Sequence, residues 1–159
     1  MKDVIALMNR AQTGKVYLWD PYLTVEDILH TWSFTTRMNV TLYAITSGEI
    51  AANSKMSVCD WIEQQPEIME KRSNHYCIHV ELRCQWADYG YSFHDRFLMV
   101  LNLDQDTSSV WSLGTSVNSL GNKHHIIQSV EHPQMMIDAF EELWNELDAP
   151  ECLVWKKGV

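Results

Sequence analysis

The chain has 159 residues, a formal net charge of -9 and 46% hydrophobic residues. This length suits a single domain, spanning residues 1–159, that buries most of its apolar surface. The acidic excess argues against broad electrostatic capture of nucleic acid, although not against a local basic pocket. Because the sequence has no apolar stretch of about 20 residues and its N-terminus does not resemble a signal peptide, we expect a cytoplasmic protein without membrane association.

Strand and helix signals alternate in the first half of the chain. Residues 15–19 form a β-rich run that stops at Asp20-Pro21. Asp20 should avoid the helical region, because it precedes a proline. Thr24 is a good N-cap, with Asp27 three residues later, for a helix whose apolar residues recur at helical spacing. Residues 40–45 form the next strand. This order predicts a right-handed crossover and a parallel pair of strands.

The second half continues the same mixture of helices and strands. We predict a helix from about Ser57, which Pro66 should kink or split, and a strand over residues 77–84. A further strand begins at His94, and the last helix begins at Pro133, a residue favoured at the first helical position. Two more strands are expected at residues 110–113 and 126–130, after a polar connection at 102–108. The predicted fold is an α/β sandwich with a mixed, mostly parallel β-sheet flanked by helices.

The four cysteines are Cys59, Cys77, Cys84 and Cys152. They form no Cys-x-x-Cys pair and lie in periodic apolar segments, which favours buried free thiols over a redox or zinc site. We therefore expect no metal and no other cofactor.

His94 and Arg96 carry the strongest chemical signal in the sequence. Residues two apart on a β-strand point to the same face, so these side chains would project together. An imidazole can attack phosphorus while a neighbouring guanidinium holds the non-bridging oxygens. The pair therefore favours a phosphodiester-cleaving site.

The motif around this pair resembles that of the phospholipase D superfamily. Its signature is His-x-Lys, four residues, Asp, and then a Gly-Ser-x-x-Asn or Gly-Ser-x-Asn segment. Here His94 and Arg96 are followed by Gly114-Thr115-Ser116-Val117-Asn118. Residues 19–23 and the helix at 133–144 are also similar to elements of small bacterial endonucleases of this superfamily, so the resemblance covers most of residues 15–147.

Three positions depart from the family pattern. Arg96 replaces lysine, which keeps the charge but changes the reach and the geometry of the donors. Leu101 stands where the family has aspartate, and Asp104 or Asp106 in the longer hairpin is a candidate replacement for that carboxylate. Where the endonucleases carry a glutamate, the chain offers Lys123, His124 or His125.

The resemblance implies a metal-independent phosphodiesterase of the nuclease branch, acting on nucleic acid or a nucleotide, as in bacterial defence systems. It implies a homodimer in which one histidine attacks phosphorus and its mate protonates the leaving oxygen. His94, Arg96 and Asn118 would be catalytic, and the predicted substrate-binding residues are Thr115, Ser116, Lys123 and His124.

Several alternatives stay open from the sequence alone. The domain is an enzyme, a catalytically silent descendant that serves ligand binding or homodimer assembly, or a purely structural partner-binding domain in which the pocket at His94 is closed. The alternative for Arg96 is a salt bridge to Asp95, Glu81 or a hairpin aspartate. Glu81 on a neighbouring strand is the best of these partners, and this pair would weaken phosphate binding. Thr115, Ser116 and Asn118 also suit a helix N-cap and turn. Trp86 and Trp155, which lie in irregular polar contexts, are candidates for stacking a base or sealing a subunit interface.

Overall fold

A computed structural model describes residues 2–11, 13–32, 40–71, 79–103, 106–119 and 126–157. Its centre is a seven-stranded β-sheet with strand order β6-β5-β4-β1-β2-β3-β7. The strands are β1 (Gly14–Trp19), β2 (Val40–Ser47), β3 (His79–Gln85), β4 (Phe97–Asn102), β5 (Thr107–Ser112), β6 (Gln128–Ser129) and β7 (Leu153–Lys157).

The sheet is mixed, as predicted, but it is mostly antiparallel. The pairs β1–β2 and β2–β3 are parallel, whereas β4 and β7 join their neighbours β1 and β3 in antiparallel fashion. The hairpin β4–β5 and the edge strand β6 extend the antiparallel part. The prediction of a mostly parallel sheet was therefore wrong, because strand–helix–strand units build only the centre of this sheet.

The two faces of the sheet carry different helices. The helices are α1 (Lys2–Met8), α2 (Val25–Trp32), α3 (Glu49–Asn53), α4 (Val58–Glu70) and α5 (Pro133–Glu146). The first four contribute to one hydrophobic cluster that includes Val4, Ile28, Ile50 and Trp61. Helix α5 covers the opposite face, where Phe140 stacks on Tyr17 with ring centroids 4.3 Å apart.

Local sequence signals explain several element boundaries. The Asp27 amide donates to Thr24 Oγ1 at 3.1 Å, while the Thr24 amide donates to Asp27 Oδ2 at 2.9 Å. This reciprocal cap confirms the predicted start of α2. Helix α4 continues through Pro66 from Val58 to Glu70. The predicted split is therefore wrong, and the predicted kink stays a prediction.

Three other sequence predictions need correction. Strand β4 begins at Phe97 rather than His94, and β6 contains two residues where a strand over 126–130 was predicted. Cys84 and Cys152 are buried free thiols as predicted, but Cys59 is exposed. Cys77 lies outside the described residues.

None of the described helices is both long enough and apolar enough to cross a membrane. Among the described residues, no three His, Cys, Asp or Glu side chains are grouped so that they could hold a metal ion.

Candidate functional site

Three chain segments converge at one end of the sheet. Strand β1 ends at Trp19, which is paired with Phe97 at the start of antiparallel strand β4. Phe97 is in turn paired with Ser112 at the end of β5. The residue after β1, the residues before β4 and the loop after β5 are therefore neighbours. This pairing brings Asp20, Arg96 and the loop containing Ser116 together.

Asp20 forms the buried centre of this arrangement. Its side chain is 0% exposed. Ser116 Oγ lies 2.9 Å from each carboxylate oxygen and donates to Asp20. The Val117 amide donates to Oδ2 at 2.6 Å and the Tyr22 amide donates to Oδ1 at 3.0 Å. The carboxylate thus joins the loop after β5 to the end of β1.

Burial raises the pKa of Asp20 above its ordinary value. The hydrogen bonds from Val117, Tyr22 and Ser116 and the positive charge of Arg96 act in the opposite direction, since each favours the ionised form. Asp20 is therefore a desolvated carboxylate, and the residues of this site stabilise its ionised form.

From the sequence, Asp20 had no predicted role in the site, although this residue was placed at the end of a strand and within the segment 19–23 that resembles a family element. The available signal was a carboxylate immediately after a strand that belongs to a parallel pair. The carboxyl ends of such strands are common positions for binding sites in α/β proteins.

Arg96 lies between Asp20 and Tyr22. Its Nε atom is 4.0 Å from Asp20 Oδ1, which is too long for a hydrogen bond, and its Cζ atom is 5.5 Å from the centroid of the Tyr22 ring. Within the described structure, Nε is buried and has no hydrogen-bond partner. About a quarter of the side chain, 26%, remains exposed. The guanidinium therefore lies beside a buried carboxylate and an aromatic ring, and part of the side chain is exposed to solvent.

The alternative partner for Arg96, Glu81, is not in reach. Glu81 pairs with Arg83 at 2.6 Å and with Lys156 at 2.9 Å. Strands β1 and β2 separate β3 from β4 in the sheet. The alternation of side chains along a strand predicted the face to which each one points. The order of the strands in the sheet decided which side chains can contact each other.

His94 is exposed and precedes β4. The alternation argument that placed it beside Arg96 therefore does not apply, because neither residue lies in the strand. The two residues are held at the same end of the sheet by their closeness in sequence to Phe97.

In the loop after β5, some polar side chains bond to the protein and others are exposed to solvent. Ser116 is buried and donates to Asp20, so its single hydroxyl proton is not free for a substrate. Asn118 is exposed, and its Nδ2 donates to the Tyr22 carbonyl at 3.2 Å, which leaves a second amide proton. Thr115 is half-buried.

The predicted turn and helix start after Gly114 is also present. A short 3-10 helix spans Val117–Ser119, and the Ser119 amide donates to the Ser116 carbonyl at 2.9 Å. The structural and ligand-binding interpretations of this segment are compatible. Lys123, His124 and His125 lie outside the described residues.

Leu101 does not occupy a position near this site. It is paired with Lys15 near the start of β1, four residues beyond Phe97 and about 13 Å away along the strand. Its side chain packs in the cluster on the α5 face. Asp106 is exposed at the tip of the same hairpin, at the end remote from Arg96. Asp104 lies outside the described residues. The carboxylate beside Arg96 is therefore Asp20.

We expect Leu101→Asp to lower the free energy of unfolding by about 1–3 kcal/mol, because it moves a charge into a partly buried apolar cluster. It should not increase any activity of the site. Thermal and denaturant unfolding would test the first expectation, with Leu103→Asp as the control, since Leu103 is 66% exposed. A gain in activity would show that position 101 reaches the site.

The sequence was compared with known proteins. It matches no model of a protein family and no curated protein.

Proposed function

We propose that the chain is a metal-independent phosphodiesterase of the nuclease branch of the phospholipase D superfamily, acting on nucleic acid or a nucleotide. The observation that carries this proposal is the convergence of the two motif segments, around Arg96 and Ser116, on the buried carboxylate of Asp20. These segments are separated in sequence, and the resemblance requires them to form one site.

Each residue has a distinct role in the proposed reaction. The imidazole of His94 is the nucleophile, and Arg96 holds the non-bridging oxygens of the phosphate. The free amide proton of Asn118 is a second donor to those oxygens. Asp20 is a positioning residue, because its hydrogen bonds fix the loop that carries Asn118.

The reaction proceeds in two balanced steps. An imidazole nitrogen of His94 bonds to phosphorus, the phosphorus–oxygen bond to the leaving group breaks, and the leaving oxygen takes a proton from a second histidine. Water then attacks the phosphohistidine, gives its proton to that second histidine and releases His94. A homodimer that brings two copies of His94 to one cleft supplies both groups.

A second candidate function is a catalytically silent domain of the same superfamily that binds a ligand or assembles as a homodimer. A specific observation favours it: the hydroxyl of Ser116 and one amide proton of Asn118 already bond to the protein. The buried charge of Asp20 also offsets that of Arg96, at 4.0 Å. Both effects weaken phosphate binding.

The decisive experiment is incubation with single- and double-stranded DNA and RNA in EDTA. We expect cleavage by the wild-type chain and a loss of about a thousandfold or more in His94→Ala, because the nucleophile is removed. His30→Ala is the matched control, since His30 is also exposed but lies in the last turn of α2.

Light scattering completes this test. A dimer at micromolar concentration is expected for the enzyme. Activity that disappears in EDTA but survives His94→Ala would refute the histidine mechanism. A folded dimer that cleaves none of these substrates but binds them would favour the silent domain.

A further inference from the structure

A small cavity lies beside the candidate site at the ends of β2 and β3. It has a volume of about 230 Å³, and its lining includes Ser47, Glu49, Gln85, Trp86 and Ser92. Pockets for whole small ligands are usually about 300–1,000 Å³. This cavity is therefore the size of a subsite for one part of a larger ligand.

Tyr22 connects the cavity to Arg96. The Tyr22 hydroxyl donates to Glu49 Oε2 at 3.2 Å, while its ring centroid lies 5.5 Å from Arg96 Cζ. One tyrosine side chain thus separates a cation from a carboxylate. Ser92, which also lines the cavity, precedes His94 by two residues. In a nucleotide, one sugar similarly separates the anionic phosphate from the base. A phosphate at Arg96 would therefore leave the base on the Glu49 side of Tyr22.

The cavity combines an aromatic surface with hydrogen-bonding groups. Trp86 is half-buried, and its position is fixed because Nε1 donates to the Glu151 carbonyl at 3.2 Å. A fixed aromatic ring stacks on a nucleobase at little cost in entropy. Ser47, Gln85 and Ser92 provide hydroxyl and amide groups that can both donate and accept.

Glu49 places a carboxylate in the lining of the cavity. It is exposed, and its carboxylate has acceptor capacity beyond the one bond from Tyr22, since an ionised carboxylate offers about four lone-pair sites. The Watson–Crick edge of guanine presents two adjacent donors, the ring N–H and the exocyclic amino group, which match the two oxygens of a carboxylate. Adenine, cytosine and uracil do not present this pair.

We propose that this cavity is the base subsite of the candidate site and that it selects guanine, with Glu49 reading the base edge and Trp86 stacking on the ring. The phosphate of the same nucleotide then lies at Arg96. The proposal rests on the proposed function for the placement of the phosphate. It adds the base and the residues that recognise it.

Binding of nucleoside monophosphates tests the subsite without requiring cleavage. Guanosine and inosine 5′-monophosphates differ by the exocyclic amino group, so their affinity ratio isolates one donor. Isothermal titration in EDTA should give wild-type protein about a tenfold preference for the guanosine compound, the usual scale for a well-placed base contact. The ratio should fall to within about twofold in Glu49→Gln, because an amide places a donor where the carboxylate has an acceptor.

The ratio is the appropriate readout because Glu49→Gln also removes a negative charge, which raises the affinity for every phosphate compound equally. Glutamine keeps an oxygen that accepts from Tyr22, and Glu49 is exposed, so the variant should fold. Trp86→Leu should weaken all the nucleotides by similar factors. Glu70→Gln, at the exposed last residue of α4, should change nothing.

A substrate without a base separates this proposal from the proposed function. If the hydrolytic site is active, wild type and Glu49→Gln should cleave bis(4-nitrophenyl) phosphate with the same kcat, because the lost charge changes only the affinity for the phosphate. His94-dependent cleavage with equal affinities for the two nucleotides would overturn the guanine subsite and leave the phosphodiesterase intact. A preference for guanine that depends on Glu49, without any cleavage, would retain the subsite and reject the hydrolase.

Discussion

Asp20→Ala is expected to lower the free energy of unfolding by about 3–5 kcal/mol, the usual cost of removing one partner from a buried charged network. The variant leaves the Val117 amide, the Tyr22 amide and the Ser116 hydroxyl without the acceptor that they share. Each unsatisfied buried donor costs about 1–3 kcal/mol. Arg96 also loses its neighbouring negative charge. Denaturant unfolding would measure the change.

Asp20→Asn and Asp138→Ala provide the controls for this measurement. The Val117 and Tyr22 amides donate to different oxygens of Asp20. Asparagine has one oxygen acceptor, so Asp20→Asn should strand one amide and cost about 1–3 kcal/mol. Asp138 is exposed on α5, and its replacement should cost less than about 0.5 kcal/mol. If Asp20→Ala were as stable as Asp138→Ala, Asp20 would not organise the site.

Gly114→Ala is expected to lower the free energy of unfolding by about 2–4 kcal/mol. Gly114 has a φ of +65°, and a Cβ atom there would lie 2.7 Å from the Ile126 carbonyl oxygen. The first feature is unfavourable for residues other than glycine, and the second forces the backbone to move. Because Gly114 begins the loop that carries Asn118, any phosphodiesterase activity should fall as well.

Thermal melting and activity of Gly114→Ala can be compared with those of Thr115→Ala, which changes the adjacent residue. Thr115 is half-buried, and its truncation should cost about 1 kcal/mol or less. Gly114→Asn separates the two causes, since asparagine tolerates a positive φ but still carries a Cβ atom. A loss that persists in Gly114→Asn identifies the contact with Ile126 as the main cause. If Gly114→Ala matched the stability of wild type, the close approach of residues 114 and 126 would be disproved.

Local sequence signals predicted the elements that depend on local interactions. The cap at Thr24 fixes the start of α2, and the parallel pairing of β1 with β2 follows from the helix between them. Pro133, which is favoured at the first helical position, predicted the start of α5. The cap and the helix start depend on residues a few positions apart, and the parallel pair depends on one connection between consecutive strands.

The same reasoning failed where the outcome depended on distant segments. Alternation of side chains grouped His94 with Arg96 on one strand and favoured Glu81 as the alternative partner of Arg96. However, β4 begins at Phe97, and two strands separate it from β3. Counting along the sequence from His94 placed Leu101 at the position where the family has aspartate. The register of β4 with β1 places it at the opposite end of the strand.

Composition and local periodicity specified the α/β class and the central parallel strands. The tertiary structure decided the mostly antiparallel sheet and the burial of Asp20 beneath the loop of Ser116 and Val117. Asp20 and Ser116 are far apart in sequence, and the hydrogen bond between them exists only after β1, β4 and β5 have paired. Their environment is therefore a product of strand order and register, which no local pattern specifies.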